Sequence, residues 1–147
     1  MGLNDLEKQG RIRRIPVDKI QVKKALELCR RDLEAAEMNL KNDMVDWSFS
    51  ISYNSILQAC RALMYAYGYA PSSDDSHKAT LEFVEYIFES QHSDIFPVLD
   101  RIRKKRHVAV YDEAGTVTSY EAKYALDQAK QITKLVEAKI KSKINVQ

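Results

Sequence analysis

Hydrophobic side chains recur at alternating steps of four and three residues along much of this chain. One such stripe lies within residues 17–40, and a second lies within residues 49–67. Their members are Val22, Leu26, Cys29, Leu33, Ala36 and Leu40, and then Phe49, Tyr53, Ile56, Cys60, Leu63 and Tyr67. This spacing puts apolar side chains on one face of a helix. Further apolar residues widen the second stripe, so we expect its helix to be central in the fold.

Capping and helix-ending residues indicate where the helices begin and end. Asp18 stands before the first stripe and can accept a hydrogen bond at a helix N-terminus. Gly68 follows the second stripe, where a left-handed residue commonly ends a helix. Thr118 and Glu121 match the capping-box pattern that opens a last, alanine-rich helix. An αα-hairpin and a long C-terminal helix are therefore predicted.

Two shorter helices are predicted between these long ones. In the first, Leu81 and Val84 face inward, and residues 90–93 break the helix. Ser93 or Asp94 starts the second. No stretch of useful length alternates polar and apolar residues as a strand would. The predicted fold class is all-α, an up-and-down bundle of four main helices plus a short fifth helix.

The length and the first residues define the expected domain organisation. A chain of 147 residues suits one domain with its own hydrophobic core. We assign residues 17–147 to the helical bundle. Residues 1–16 carry Arg11, Arg13 and Arg14, and we expect a basic N-terminal arm or a short docking helix there.

Composition excludes several classes of protein. Apolar residues make up 45% and charged residues 30% of the chain, which argues against disorder. No apolar run approaches the ~20 residues that cross a bilayer, and no secretion signal is evident. Cys29 and Cys60 sit at helical spacing among apolar residues and are expected to be buried, reduced thiols of a cytoplasmic protein. Neither a membrane association nor a disulfide is expected.

Histidine spacing and glycine content also limit the chemistry. His77 and His92 have no cysteine or carboxylate at ligand spacing, so we expect no metal site. A glycine-rich phosphate loop is missing from the sequence, and no cofactor is expected. The net charge of +2 is too small to imply a nucleic-acid partner, so local concentrations of charge matter more.

The densest charge lies in residues 101–107, which contain five arginines and lysines and one histidine. Leu99 and Ile102 form the apolar stripe of their helix, and the next position on that stripe is Arg106. Burying a guanidinium costs several kcal/mol unless it is paired or hydrogen-bonded. Arg106 should therefore meet a carboxylate, carbonyl groups, a second subunit or an anionic ligand.

Such a cluster has two interpretations. Cleavage of RNA would need an arginine to stabilise negative charge, a histidine to move protons and a polar group to orient the 2′-hydroxyl. Arg106 or Arg103, with His107 and Tyr111, could supply these groups, and Arg101 adds a further cation. Alternatively, a basic helix C-terminus is simply favourable in the field of the helix dipole.

Three segments resemble HEPN domains. Residues 51–69 are similar to the second helix of that family, with their tyrosine, Arg-Ala-Leu and closing glycine. The start of the next helix, Ser-His-Lys at 76–78, is also similar. So is Arg106-x4-Tyr111-Asp112, followed by a loop and a long alanine-rich helix. The resemblance covers about residues 17–143.

The resemblance implies a bundle of four or five helices that commonly dimerises and places the arginine motif of both protomers in one cleft. Many members are metal-independent ribonucleases with Arg-x(4–6)-His, in which a polar residue such as Asn usually follows the arginine. Others are partners of minimal nucleotidyltransferases, or bind nucleotides or RNA. Here His107 follows Arg106, and Tyr111 stands at the histidine position. Tyrosine, with a pKa near 10, is a poor general base at neutral pH.

Three hypotheses follow. The first is a HEPN-like homodimer that binds a nucleotide or RNA, as partner of a minimal nucleotidyltransferase in a toxin–antitoxin-type system. Its central anion contact would be Arg106, supported by Arg101, Arg103 and His107 and positioned by Tyr111. The second is a metal-independent endoribonuclease that uses Arg106 or Arg101 with His107, since Arg101-x5-His107 also satisfies the motif. The third is a purely structural dimerisation module.

Overall fold

The computed structural model describes residues 2–72, 76–88, 94–112 and 115–145. Within these ranges the chain forms six α-helices, one π-helical turn and two short strands. In chain order they are α1 (Leu3–Lys8), β1 (Ile12–Arg14), α2 (Lys19–Lys41), α3 (Val45–Ala66), β2 (Tyr69–Pro71), α4 (Ser76–Phe88), α5 (Ile95–His107), the π-turn (Val108–Asp112) and α6 (Ser119–Lys143). The predicted all-α bundle is confirmed. The predicted break at residues 90–93, with His92, lies outside the described ranges.

Helix α3 is the centre of the bundle, as its wide apolar stripe predicts. It packs against α2, α6, α4 and α5, and most of its side chains are buried. Tyr53, Ile56 and Leu63 are fully enclosed. Because α3 contacts every other long helix, a residue on its surface can bring side chains from distant parts of the sequence into contact.

Local sequence fixes the helix ends as predicted. The Asp18 carboxylate accepts a hydrogen bond from the Ile20 amide at 2.9 Å. Gly68 has φ +81°, and a side chain there would be strained and would also crowd the Ile15 carbonyl. The capping box at the start of α6 is complete, with both reciprocal hydrogen bonds between Thr118 and Glu121 at 3.0 Å.

The first residues are structured. Strands β1 and β2 pair antiparallel, with Ile12 opposite Pro71. Leu6 and Ile12 are each only 1% exposed. The Arg11 guanidinium donates two hydrogen bonds, of 2.7 and 2.8 Å, to the Glu82 carboxylate on α4. The N-terminal segment is thereby attached to α4, while the domain boundary drawn after residue 16 stays a prediction.

A network of polar side chains crosses the interior where α2, α3 and α6 meet. The Ser55 hydroxyl donates to the Cys29 carbonyl at 3.1 Å, and the Cys29 sulfur lies 3.3 Å from the hydroxyls of both Ser55 and Thr133. The Thr133 hydroxyl donates to the Ala129 carbonyl at 2.7 Å. Cys29 and Cys60 are both buried and free, as predicted. Burial raises the pKa of the Cys60 thiol, so this sulfur stays protonated.

Candidate anion-binding site

Arg106 points from the last turn of α5 toward α3. It is half-buried and shares its helix face with Leu99 and Ile102, which are buried. Its guanidinium carbon lies 5.5 Å from the centre of the Tyr53 ring on α3. This distance is within the range of a cation–π contact. The inward position that the apolar stripe predicts for Arg106 is the one observed.

The π-turn changes the register of the residues that follow Arg106. In an α-helix, a residue five positions further on lies about 140° around the axis, because one turn takes 3.6 residues. A π-turn is closed by hydrogen bonds between residues five apart and returns the fifth residue to the same face. Accordingly the Tyr111 ring centre lies 6.0 Å from the Arg106 guanidinium carbon. Arg106 is flanked by two tyrosine rings, one from α3 and one from the π-turn.

The guanidinium is incompletely paired. The Nε atom of Arg106 is buried and has no hydrogen-bond partner among the residues that the structure describes. An unsatisfied buried donor costs about 1–3 kcal/mol, and more when the group is charged. Buried polar atoms without partners are few in native proteins, and a bound ion or a functional role commonly accounts for them. The sequence predicts a partner for Arg106, and the described residues contain none for its Nε.

Tyr53 forms the floor of the site together with His77 from the first turn of α4. The Tyr53 hydroxyl lies 3.0 Å from His77 Nδ1, and the two ring centres are 5.7 Å apart. Burial raises the pKa of Tyr53, although the charges of Arg103, Arg106 and Arg61 oppose this shift. Tyr53 is therefore a neutral phenol. In the sequence, the Ser-His-Lys segment is only part of the family resemblance. The contact between His77 and Tyr53 could not be predicted from residue spacing.

Arg103 stands one helical turn before Arg106 and is already engaged. Its Nε donates to the Asp100 carboxylate at 2.9 Å, and its Nη2 lies 2.8 Å from the same oxygen. Lys104 contacts the second Asp100 oxygen at 3.2 Å. Burial by itself would raise the pKa of Asp100, but the hydrogen bonds from Arg103 and Lys104 outweigh it and lower the pKa. Arg103 thus brings positive charge to the site while its head group is held by Asp100.

His107 and Tyr111 form the outer edge of the site. Their ring centres are 4.9 Å apart. His107 is exposed, and Tyr111 has 65% of its surface in contact with solvent. The structure therefore brings together Arg103, Arg106, His107 and Tyr111 at the end of α5.

Arg101 is not part of this group. It lies on the other flank of α5, where it lines a separate pocket with Lys105, Tyr120 and Tyr124. Its distance from the Arg106 face follows from the helical register, since the two residues are five positions apart within α5. The two predicted anion contacts thus belong to different surfaces.

Over the described ranges, no three His, Cys, Asp or Glu side chains converge as ligands of a metal ion. In the same residues, no helix combines the length and the apolar character needed to span a bilayer.

The structure is a small helical bundle in which a half-buried arginine, whose Nε has no partner in the described residues, lies beside two tyrosine rings. Comparison with protein families gives the particular family. The HEPN domain family model matches residues 22–139, which is most of the chain, and the chain belongs to this family. Neither the curated proteins nor the solved structures contained a significant match. Family membership supports a function related to nucleotides or RNA in general.

Proposed function

We propose that this HEPN domain binds a nucleotide or RNA through a phosphate group that contacts Arg106. The observation that carries the proposal is the buried Nε of Arg106, which lacks a partner in the described part of the chain. A guanidinium fits a phosphate well, because its donors form a planar fork that matches two phosphate oxygens. A bound phosphate would satisfy both the free donor and the uncompensated charge.

The neighbouring residues then have distinct roles. Tyr53, held by His77, orients the guanidinium from below, and Tyr111 restrains it from the π-turn. Arg103 strengthens the positive potential and His107 extends the surface toward solvent. In this arrangement Arg106 is the direct contact, and the other residues position it or add charge.

A second candidate function is metal-independent RNA cleavage. The exposed His107 ring contacts Tyr111, whose ring in turn contacts the Arg106 guanidinium. A histidine at that place could move protons near a bound phosphate, as general acid–base catalysis requires. Tyr111 stands at the position of the family's histidine, and a tyrosine is a poor general base at neutral pH. For this reason binding is the first proposal and cleavage the second.

The proposed assembly is a cytoplasmic homodimer whose two Arg106 sites share one cleft. An apolar surface beside the site supports it, since Val108, Val110 and Tyr111 are 36%, 45% and 65% exposed. Exposed apolar patches of this kind commonly mark protein interfaces. A minimal nucleotidyltransferase, in a toxin–antitoxin-type pair, is the partner that we propose from the family resemblance.

Binding of a labelled single-stranded RNA, measured at several salt concentrations in EDTA, tests the function. We expect Arg106→Ala to weaken binding about tenfold or more, because a charge-assisted hydrogen bond contributes about 1.5–3 kcal/mol. The slope of log K against log salt should fall by about 0.7 for the lost phosphate contact. Lys23→Ala, which removes an exposed cation from α2, should change affinity by less than about twofold.

The same samples separate the alternatives. Cleavage that is lost in His107→Ala would establish the ribonuclease. Equal RNA binding by wild type, Arg106→Ala and Lys23→Ala would refute the Arg106 contact. If the wild type binds neither RNA nor nucleotides and only forms dimers, the structural dimerisation module is the correct description.

A further inference from the structure

A second pocket lies on the opposite flank of α5 from Arg106. It has a volume of about 270 Å³ and lies between α5, the first turn of α6 and α3. Its lining includes Phe49, Arg101, Lys105, Tyr120, Glu121 and Tyr124. This volume falls just below the roughly 300–1,000 Å³ of pockets for drug-sized ligands. A single planar ring system is the size of ligand that suits it.

The charge of this pocket is positive and unbalanced. Lys105 donates to the Thr116 carbonyl at 3.0 Å and lies 3.6 Å from the Glu121 carboxylate, so these two charges compensate each other. The backbone hydrogen bond from Thr118 and the neighbouring Lys105 hold the pKa of Glu121 low, which keeps its charge in place. Arg101 is exposed and forms no ion pair or hydrogen bond with other residues in the described ranges. Its charge is available to a ligand.

The aromatic part of the pocket is held ready on a rigid element. Tyr120 is the second residue of α6 and is 80% exposed. The capping box fixes the backbone of that turn, so the ring stands on a defined helix end. Phe49 is buried below it, and Tyr124 lies one helical turn along the same face of α6. The face of the Tyr120 ring is therefore open to a ligand at the rim of the pocket.

We infer that this pocket stacks a base of single-stranded RNA on Tyr120 while Arg101 contacts the adjoining phosphate. Aromatic rings and arginine planes are the groups on which unpaired bases stack, and nearby cations follow the backbone. The inference rests on the proposed function, because the same strand would reach Arg106. Arg101 and Arg106 are separated by about 7.5 Å along α5 and about 140° around it. The strand would therefore cross the C-terminal part of α5, where Lys104 and Lys105 lie.

The test compares a hexanucleotide with inorganic phosphate, which has no base to stack. We expect Tyr120→Ala to weaken hexanucleotide binding at least about fivefold, and Tyr120→Phe to retain it, because stacking needs only the ring. Arg101→Ala should weaken it by a similar factor. Phosphate binding should be unchanged in the two Tyr120 variants, since both keep Arg106 and Arg101. Tyr86→Ala, on α4, serves as a control for loss of a partly exposed tyrosine.

Each outcome decides between the two surfaces. Loss of hexanucleotide binding in Arg106→Ala but not in Tyr120→Ala would overturn the stacking pocket and leave the proposed function standing. Loss in Tyr120→Ala but not in Arg106→Ala would support the pocket and overturn the Arg106 contact. An effect of Tyr120→Ala on dimerisation alone would make the surface a protein interface and would overturn the inference. No hexanucleotide binding by the wild type would overturn both.

Discussion

Two polar regions of this bundle differ in how their hydrogen bonds are satisfied. Where α2, α3 and α6 meet, the side chains of Cys29, Ser55 and Thr133 all have partners at hydrogen-bond distance. Where α3 meets α5, the Arg106 guanidinium rests on the Tyr53 ring, and its Nε has no partner within the described ranges. The first region is complete in the folded chain. In the second, the proposed phosphate would supply the partner that Nε lacks.

The comparison distinguishes stabilising polarity from functional polarity. Each satisfied hydrogen bond adds about 0.5–1.5 kcal/mol to stability, and removing one partner leaves the other group exposed to the full cost of desolvation. The half-buried Arg106 guanidinium gains no such bond at its Nε and carries the cost of that unsatisfied donor. Its presence at the end of a basic helix, in a HEPN domain, is what a binding site requires. Substitutions in the first region should therefore lower stability, and substitutions of Arg106 should lower RNA affinity.

The largest effect on stability is expected at the Tyr53 ring, which contacts the Arg106 guanidinium. Tyr53 is fully buried, so Tyr53→Ala should lower the free energy of unfolding by about 3–5 kcal/mol. Arg106→Met, on the other side of the same contact, should stay within about 0.5 kcal/mol of the wild type or be more stable. Urea unfolding followed by circular dichroism measures both. A loss of about 2 kcal/mol or more in Arg106→Met would mean that the arginine is a structural residue.

Alkaline pH should reveal the buried phenol of Tyr53. Its pKa is raised by burial above the ordinary value of 10.0, so the unfolded chain releases this proton first as pH rises. The stabilising contribution is fully present below pH 10.0 and is lost as pH rises toward the folded-state pKa, at up to about 1.4 kcal/mol per pH unit. Tyr53→Phe should therefore lose less stability than the wild type from about pH 9 to about pH 11.

The buried Cys60 thiol is present in both the wild type and Tyr53→Phe. Because burial also raises its pKa, it lowers alkaline stability equally in the two and cancels in the comparison. Equal slopes of unfolding free energy against pH for Tyr53→Phe and the wild type would contradict the buried neutral phenol.

The smallest effect concerns the satisfied network. Ser55→Ala removes one donor to the Cys29 carbonyl and one neighbour of its sulfur, and should cost about 1 kcal/mol. RNA affinity should not change, since the network is remote from Arg106 in its contacts. Thermal unfolding and the RNA-binding assay together check this pair of expectations. A change of RNA affinity comparable to that of Arg106→Ala would show that the two regions are coupled.

Much of the fold could be predicted because it depends on the local spacing of apolar residues along the chain. Steps of three and four residues define the faces of α2 and α3, and the same steps place Arg106 on the inward side of α5. Capping chemistry at Asp18 and Thr118 is likewise local. These features depend on residues that are close together in the chain, so the order of side chains is sufficient to find them.

The remaining features depend on tertiary contacts or on very short elements. The π-turn widens one turn of the helix and so changes the register of the residues after Arg106. No periodic pattern in the sequence predicts this change, which places Tyr111 beside Arg106. His77 meets Tyr53 across 24 positions of the sequence. Strands β1 and β2 have three residues each, too few for an alternating pattern to be recognised. Helical register already predicts that Arg101 lies off the face of Arg106, but only the tertiary structure places it in a pocket with Tyr120 and Tyr124.

We propose that the Arg106 Nε donates a hydrogen bond to a phosphate group of the bound RNA. The most direct measurement follows the arginine Nε–Hε resonances of ¹⁵N-labelled protein during titration with single-stranded RNA, with the Arg106 signal identified by its loss in Arg106→Lys. We predict that this resonance shifts downfield, as a new hydrogen bond requires, and saturates together with RNA binding. If the RNA binds while the Arg106 resonance stays in place, the account of this site is contradicted.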